Sequence, residues 1–192
     1  MDQVITIVSG LPRSGTSMMM SMLEAGGLQL MTDSLRIADQ DNPKGYYEFE
    51  RVKALPDGDV EWLPAAQGKA LKVIAALVPY LPDTYTYRIL FMRRAMPEIL
   101  ASQRKMLLNR GQDPNKFDDA VMTSIYEKHL KQIDIWMGQQ TNLRRMDINY
   151  NQLLADPIPQ IEAINHFLGD ILHVTAMLTG IDPHLSRQRA AK

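Results

Sequence analysis

Apolar residues fall along the chain in short blocks, and the spacing inside each block predicts what it builds. Val4, Ile5, Ile7 and Val8 form a β-branched run with one Thr inside it, the pattern of a parallel strand covered on both faces. A loop follows, Gly10-Leu11-Pro12-Arg13-Ser14-Gly15-Thr16-Ser17, and a helix is expected from Ser14 to Ala25, stopped by Gly26-Gly27. Met18, Met19, Met20 and Met22 crowd that helix. Their expected role is filling gaps against a sheet, with gripping an apolar acceptor as the alternative. From Leu28 to Glu61 the periodicity lapses. The stretch is polar and irregular, with Asp33, Asp39, Asp41, Glu48 and Glu50, the turn signal Asn42-Pro43-Lys44-Gly45, and then Tyr46-Tyr47-Glu48-Phe49. A long loop bearing aromatics is either a binding lid or a solvated connection whose rings pack onto the core.

Three more strands are predicted: Lys69 to Ala76, Tyr85 to Met92 with Arg93-Arg94 at its end, and Leu143 to Ile148. Between and after them lie helical patterns. One has Pro97 in its first turn and runs to about Leu108, with Gly111 at its exit. The next spans Phe117 to Gln139, where Val121, Met122, Ile125, Tyr126, His129, Ile133, Trp136 and Met137 recur at steps of three and four. His129 is on or beside that face, as a packing histidine or, alternatively, a catalytic one. A helix from Pro157 ends at Phe167-Leu168-Gly169, and a short one lies near Val174 to Leu178. This alternation predicts an α/β fold: a three-layer α/β/α sandwich on a mostly parallel central sheet, P-loop-like, with right-handed crossovers.

The 192 residues suit one domain, residues 1–192, which buries roughly 70% of its unfolded surface. The net charge of −1 points away from nucleic acid and requires any anion site to be local. With no cysteine, disulfides, thiolate metal sites and a cysteine nucleophile are excluded. No run approaches the ~18 apolar residues of a membrane span, and the chain enters its first strand without a signal-like segment. A cytoplasmic enzyme is the expectation.

The candidate chemistry starts in the first loop. It keeps the G-x-x-x-x-G frame of a phosphate-binding loop, with Gly10 and Gly15 free to take positive φ and a helix N-terminus behind them. Thr16 stands where the Walker Lys would be, and Arg13 supplies a cation three residues upstream. A glycine-containing turn without a ligand is the plain alternative. Arg94 falls at the carboxyl end of a strand and Ser102 on the helix after it. Open α/β sheets bind ligands at that edge. Alone, Arg93-Arg94 would read as a solvated strand end. Lys72, inside an apolar strand, either sits near an end with its ammonium in solvent or reaches a ligand anion.

Pro12-Arg13-Ser14-Gly15-Thr16-Ser17 resembles P-[RK]-S-G-T-[ST], the first motif of the sulfotransferases that use 3′-phosphoadenosine 5′-phosphosulfate (PAPS). Arg94 and Ser102 have the spacing of that family's second motif, with Pro97 three residues after the Arg instead of two. Tyr150 through Pro157, followed by Phe167-Leu168-Gly169, resembles Y-E-x-L-x-x-D-P with its helix and F-L-G, Asn151 replacing the Glu. The resemblance implies that Arg13, Ser14, Gly15, Thr16 and Ser17 hold the 5′-phosphosulfate. It places the 3′-phosphate on Arg94 and Ser102, a guanidinium and a hydroxyl suited to it. Tyr150 would lie near the adenine, or else pack at a strand end. Arg187 and Arg189, in the basic stretch His184 to Lys192, are either further 3′-phosphate contacts or part of a solvated tail.

The activity so implied is transfer of a sulfuryl group from PAPS to a hydroxyl or amine on a small-molecule or glycan acceptor, with residues 28–68 as the acceptor-side loop region. Arg13 would stabilise charge on the breaking bridge, with Lys72 assisting. Glu48 is the first choice of general base, ahead of Asp41 and Glu50; a solvated loop carboxylate is its alternative role. A transferred sulfonate carries roughly one negative charge where a terminal phosphate carries about two, so no metal is expected. Two other classes remain open: a P-loop kinase, for which Asp147 would have to meet Mg²⁺, and a non-catalytic nucleotide-binding module.

Overall fold

A computed structural model of the chain describes residues 4–33, 35 and 45–181. Its centre is a four-stranded, all-parallel sheet of β1 (Val4–Gly10), β2 (Ala70–Lys72), β3 (Thr86–Arg93) and β4 (Leu143–Asn149), in the order β2-β1-β3-β4. The helices are α1 (Thr16–Ala25), α2 (Leu63–Ala66), α3 (Met96–Asn109), α4 (Asp119–Gln139), α5 (Tyr150–Ala155), α6 (Pro157–Leu168) and α7 (Val174–Met177).

The two-residue period of the strands divides the core. Ile5, Ile7, Tyr87, Ile89 and Phe91 pack on one face with Val52, Leu55, Trp62, Leu63 and, from α4, Ile133 and Met137. Val8, Leu90, Met92 and Ile148 pack on the other with Met19, Met20, Met22 and Leu23 of α1, and with Ile161 and Ile164 of α6. The sheet is therefore sandwiched between two helical layers, as the alternating pattern predicts. The α1 methionines are core, since Met19, Met20 and Met22 have no exposed surface. Arg88 of β3 donates to Leu168 O at 2.7 Å, a cation on the carboxyl end of α6.

Four features differ from what the residue pattern predicts. The first helix starts at Thr16, not Ser14, because Arg13 and Gly15 adopt φ of +70° and +104° and keep Ser14 in the turn. The second strand stops at Lys72 and does not reach Ala76. Val73 N makes a last bond to Val8 O at 3.0 Å, and the chain then leaves as a 3₁₀ helix over Ala75–Tyr80, with Pro79 inside it. The stretch expected to be irregular carries a 3₁₀ helix, Glu50–Asp57, which buries Val52 and Leu55, and a bridge from Leu30 to Ala70. The apolar face of α4 is buried only in its second half. Val121 and Ile125 are exposed, and the first half meets α3 through Tyr126, which donates to Gln103 at 2.9 Å. Among the described residues no helix is long and apolar enough to cross a membrane.

Candidate active site

The four strands are parallel, so their carboxyl ends share one edge, where the Arg13 loop follows β1, Lys72 ends β2, Arg94 follows β3 and Tyr150 follows β4. β1 opens into the loop after Gly10. Gly10 sits at φ +146°, and a Cβ there would lie 2.8 Å from Met92 O, so the loop closes tightly over β3. The Ser14 hydroxyl beneath it is fully buried and has no hydrogen-bond partner among the described residues. A buried polar atom without a partner usually marks a missing water or ligand. Behind it, α1 directs its first N–H groups into the loop.

Arg13 occupies the left-handed region, which costs a non-glycine residue about 1–3 kcal/mol and persists only where neighbours hold it. It is held at both ends. Its Nε donates to Ser102 Oγ at 2.9 Å, and its carbonyl accepts from Arg94 Nη1 at 3.0 Å. The loop and the Arg94–Ser102 pair are therefore in direct contact.

Arg94 lies just past β3, and its side chain is buried with that of Glu98, its partner at 2.9 Å between Nε and Oε2. Its guanidinium carbon stands 4.4 Å from the centre of the Tyr150 ring. Asn151 Nδ2 donates to the other Glu98 oxygen at 2.8 Å. Tyr150 opens α5, whose first turn is capped by Asn149 Oδ1, which accepts from Asn151 N and Gln152 N at 3.0 Å each. Tyr150 is buried and stacks on the Arg94 guanidinium. A Cβ on Gly15 would overlap the Tyr150 ring, so the ring fills the space between loop and arginine.

At the end of β2, Lys72 is buried and does not reach solvent. Its ammonium donates to Tyr46 O, lies 3.6 Å from Glu48 Oε1 and 3.5 Å from Ser17 Oγ of α1. Glu48 and Lys72, distant in sequence, thus form a partly buried ion pair beside the loop helix. Next to them Tyr47 donates to Glu24 Oε2 at 3.1 Å, and burial raises its phenol above the usual value.

Arg93 faces away from this group. It pairs with Asp134 and, at 2.8 Å, with Asp147, while Arg145 bonds the same two carboxylates at 2.7 and 3.1 Å. Asp147 is thereby committed to two arginines. Among the described residues no cluster of three or more His, Asp or Glu side chains is arranged to hold a metal. His129 Nε2 is buried without a partner among the described residues. His166 pairs with Asp170 at 3.1 Å on the surface. Asp39, Asp41, His184, Arg187 and Arg189 lie outside the described residues.

Glu98 and Asn151 escape a reading by sequence alone. The i,i+4 spacing of Arg94 and Glu98 is a signal for a helical ion pair. Burial, which gives that pair its weight, is visible only in three dimensions.

Among solved structures, the chain is similar to a sulfotransferase domain from the curacin biosynthetic pathway. The match covers 93% of this chain and 77% of that one, at a TM-score of 0.57 and 16% identity. No protein-family model and no curated protein matches the sequence. The likeness establishes the fold, a sulfotransferase-like α/β arrangement.

Proposed function

We propose that the chain is a PAPS-dependent sulfotransferase acting on a hydroxyl or amine acceptor. The observation that carries this reading is the contact of the Arg13 turn with the Arg94–Ser102 pair at one sheet edge, at 2.9 and 3.0 Å. A small molecule with two anionic ends meets both clusters at once. The buried Ser14 hydroxyl, without a partner among the described residues, and the glycine-lined turn suit an anion there, so the residues present fit the donor.

When bound, PAPS supplies the sulfuryl group and departs as adenosine 3′,5′-bisphosphate (PAP). Arg13 and the N–H groups of Gly15, Thr16 and Ser17 hold the 5′ end, and they stabilise negative charge that develops on its bridging oxygen. Arg94 and Ser102 hold the 3′-phosphate. Glu48 takes the proton released by the acceptor as its oxygen or nitrogen bonds to sulfur. Lys72 holds Glu48 in place and adds positive charge beside the loop. Tyr150 acts here as a pillar under Arg94 and Gly15. Residues 28–68 contribute the acceptor side.

The test is calorimetry of the full chain with PAP and with ATP, with and without Mg²⁺. Preference for PAP, unchanged by Mg²⁺, is expected. Preference for Mg²⁺-ATP overturns the reading in favour of a kinase. PAP binding with no transfer from PAPS to any of a broad panel of hydroxyl and amine acceptors overturns it in favour of a binding module.

A further inference from the structure

Arg94 is more constrained than a phosphate-binding arginine needs to be, and the constraint comes from two residues with no part in the chemistry above. We propose that Glu98 and Asn151 are positioning residues which set the plane of the Arg94 guanidinium, and through it the preference for a nucleotide carrying a 3′-phosphate. The inference rests on the function proposed above and extends it.

A buried ion pair holds only when the remaining lone pairs and protons are also satisfied. The Arg94–Glu98 side chains are 6% and 2% exposed. Glu98 Oε2 accepts from Arg94 Nε at 2.9 Å and Oε1 accepts from Asn151 Nδ2 at 2.8 Å. A carboxylate only accepts, so the NH₂ end of Asn151 must face it. A carboxylate at 151 would set two like charges side by side. Asparagine presents an amide that donates to Glu98 instead. The Asn149 cap at 3.0 Å fixes the turn from which Asn151 projects.

The guanidinium is therefore gripped on its Nε edge by Glu98, on its face by Tyr150 at 4.4 Å, and at Nη1 by the Arg13 carbonyl at 3.0 Å. Together these contacts fix its plane. Two-pronged recognition of phosphate depends on that plane as well as on charge.

The experiment measures PAP and AMP binding to the full chain by calorimetry, with thermal unfolding alongside. AMP lacks the 3′-phosphate and reports the rest of the site. Asn151→Asp keeps the shape of the side chain but repels Glu98. It is expected to bind PAP about tenfold more weakly with AMP affinity unchanged. Glu98→Gln combined with Asn151→Asp exchanges amide and carboxylate, and is expected to restore most of the lost PAP affinity. If Asn151→Asp fails to fold, Asn151→Ala removes the amide without adding a charge and is held to the same comparison. Equal losses for PAP and AMP, no loss for PAP, or no recovery in the double variant would overturn the assignment. A wild-type chain that binds PAP no better than AMP overturns the proposed function itself; one that discriminates while the variants discriminate equally well overturns only the positioning role.

Discussion

The Arg94 guanidinium donates to the backbone carbonyl of Arg13 at 3.0 Å, while the Arg13 side chain reaches Ser102 at 2.9 Å. The two arginines, far apart in sequence, therefore hold each other's surroundings in place. A change at either is felt at the other.

Arg13→Ala removes the cation of the turn and the bond to Ser102. We expect kcat to fall about 10²–10³-fold, roughly 2.7–4 kcal/mol for one preorganised donor, in a steady-state assay of sulfuryl transfer. Near-normal turnover would remove Arg13 from the mechanism.

Gly15→Ala places a methyl group on the Tyr150 ring at a φ of +104°. Overpacking and backbone strain act together, and a loss of about 2–4 kcal/mol is expected in denaturant unfolding. In a double-mutant cycle with Tyr150→Ala, Gly15→Ala should cost less than it does in the wild type, since the overlap is gone and the strain remains. Equal stability of Gly15→Ala and the wild type would mean that the loop and α5 move apart easily.

Glu48→Gln keeps the shape of the side chain but removes its ability to take a proton. The expected result is a fall in kcat of about 10²–10⁴-fold, with PAP affinity little changed because Glu48 pairs with Lys72 and holds neither phosphate in the proposed site. A variant with full kcat rules Glu48 out as the base.

Tyr87, on β3, is buried on one face of the sheet, donates to Pro82 O at 3.0 Å, and burial raises its phenol well above the ordinary value. The folded state favours the protonated ring. Its contribution is present in full below the unfolded value of 10.0 and is lost as pH rises beyond it, toward the folded value. Tyr87→Phe should lower stability at neutral pH by about 1 kcal/mol for the lost hydrogen bond, and should lose less than the wild type between neutral and strongly alkaline pH. Parallel melting-temperature profiles for the two proteins would contradict this.

Much of the site's frame is legible in the residues themselves. The β-branched run before Gly10, the turn of Pro12 to Ser17, and the spacing of Arg94 and Ser102 need only local pattern, and the parallel topology then brings them to a common edge. Boundaries are less legible where the backbone leaves its usual angles. Nothing in Arg13 announces a left-handed conformation, and that conformation delays α1 by two residues. β2 is short because Ala75, Ala76 and Pro79 favour a tight turn over pairing, a preference masked by the apolar run around them. The partners of Lys72 and Arg94 come from distant segments. Neither Glu48 nor Asn151 carries a local sign of the bond it makes, so both ion-pair networks emerge only once the chain is packed.

The sheet ends differently on its two sides. Next to β2 the segment through Leu30 and Met31 bonds to Ala70 and covers the margin. The outer strand β4 carries Arg144 and Asp147, both exposed, with Arg145 and Asp147 locked to Asp134 and Arg93. A stray strand arriving at that margin would meet charged side chains on the edge strand, which disfavours pairing. The same arginines and aspartates that stiffen the rim thus guard the protein against polymerising through its own sheet.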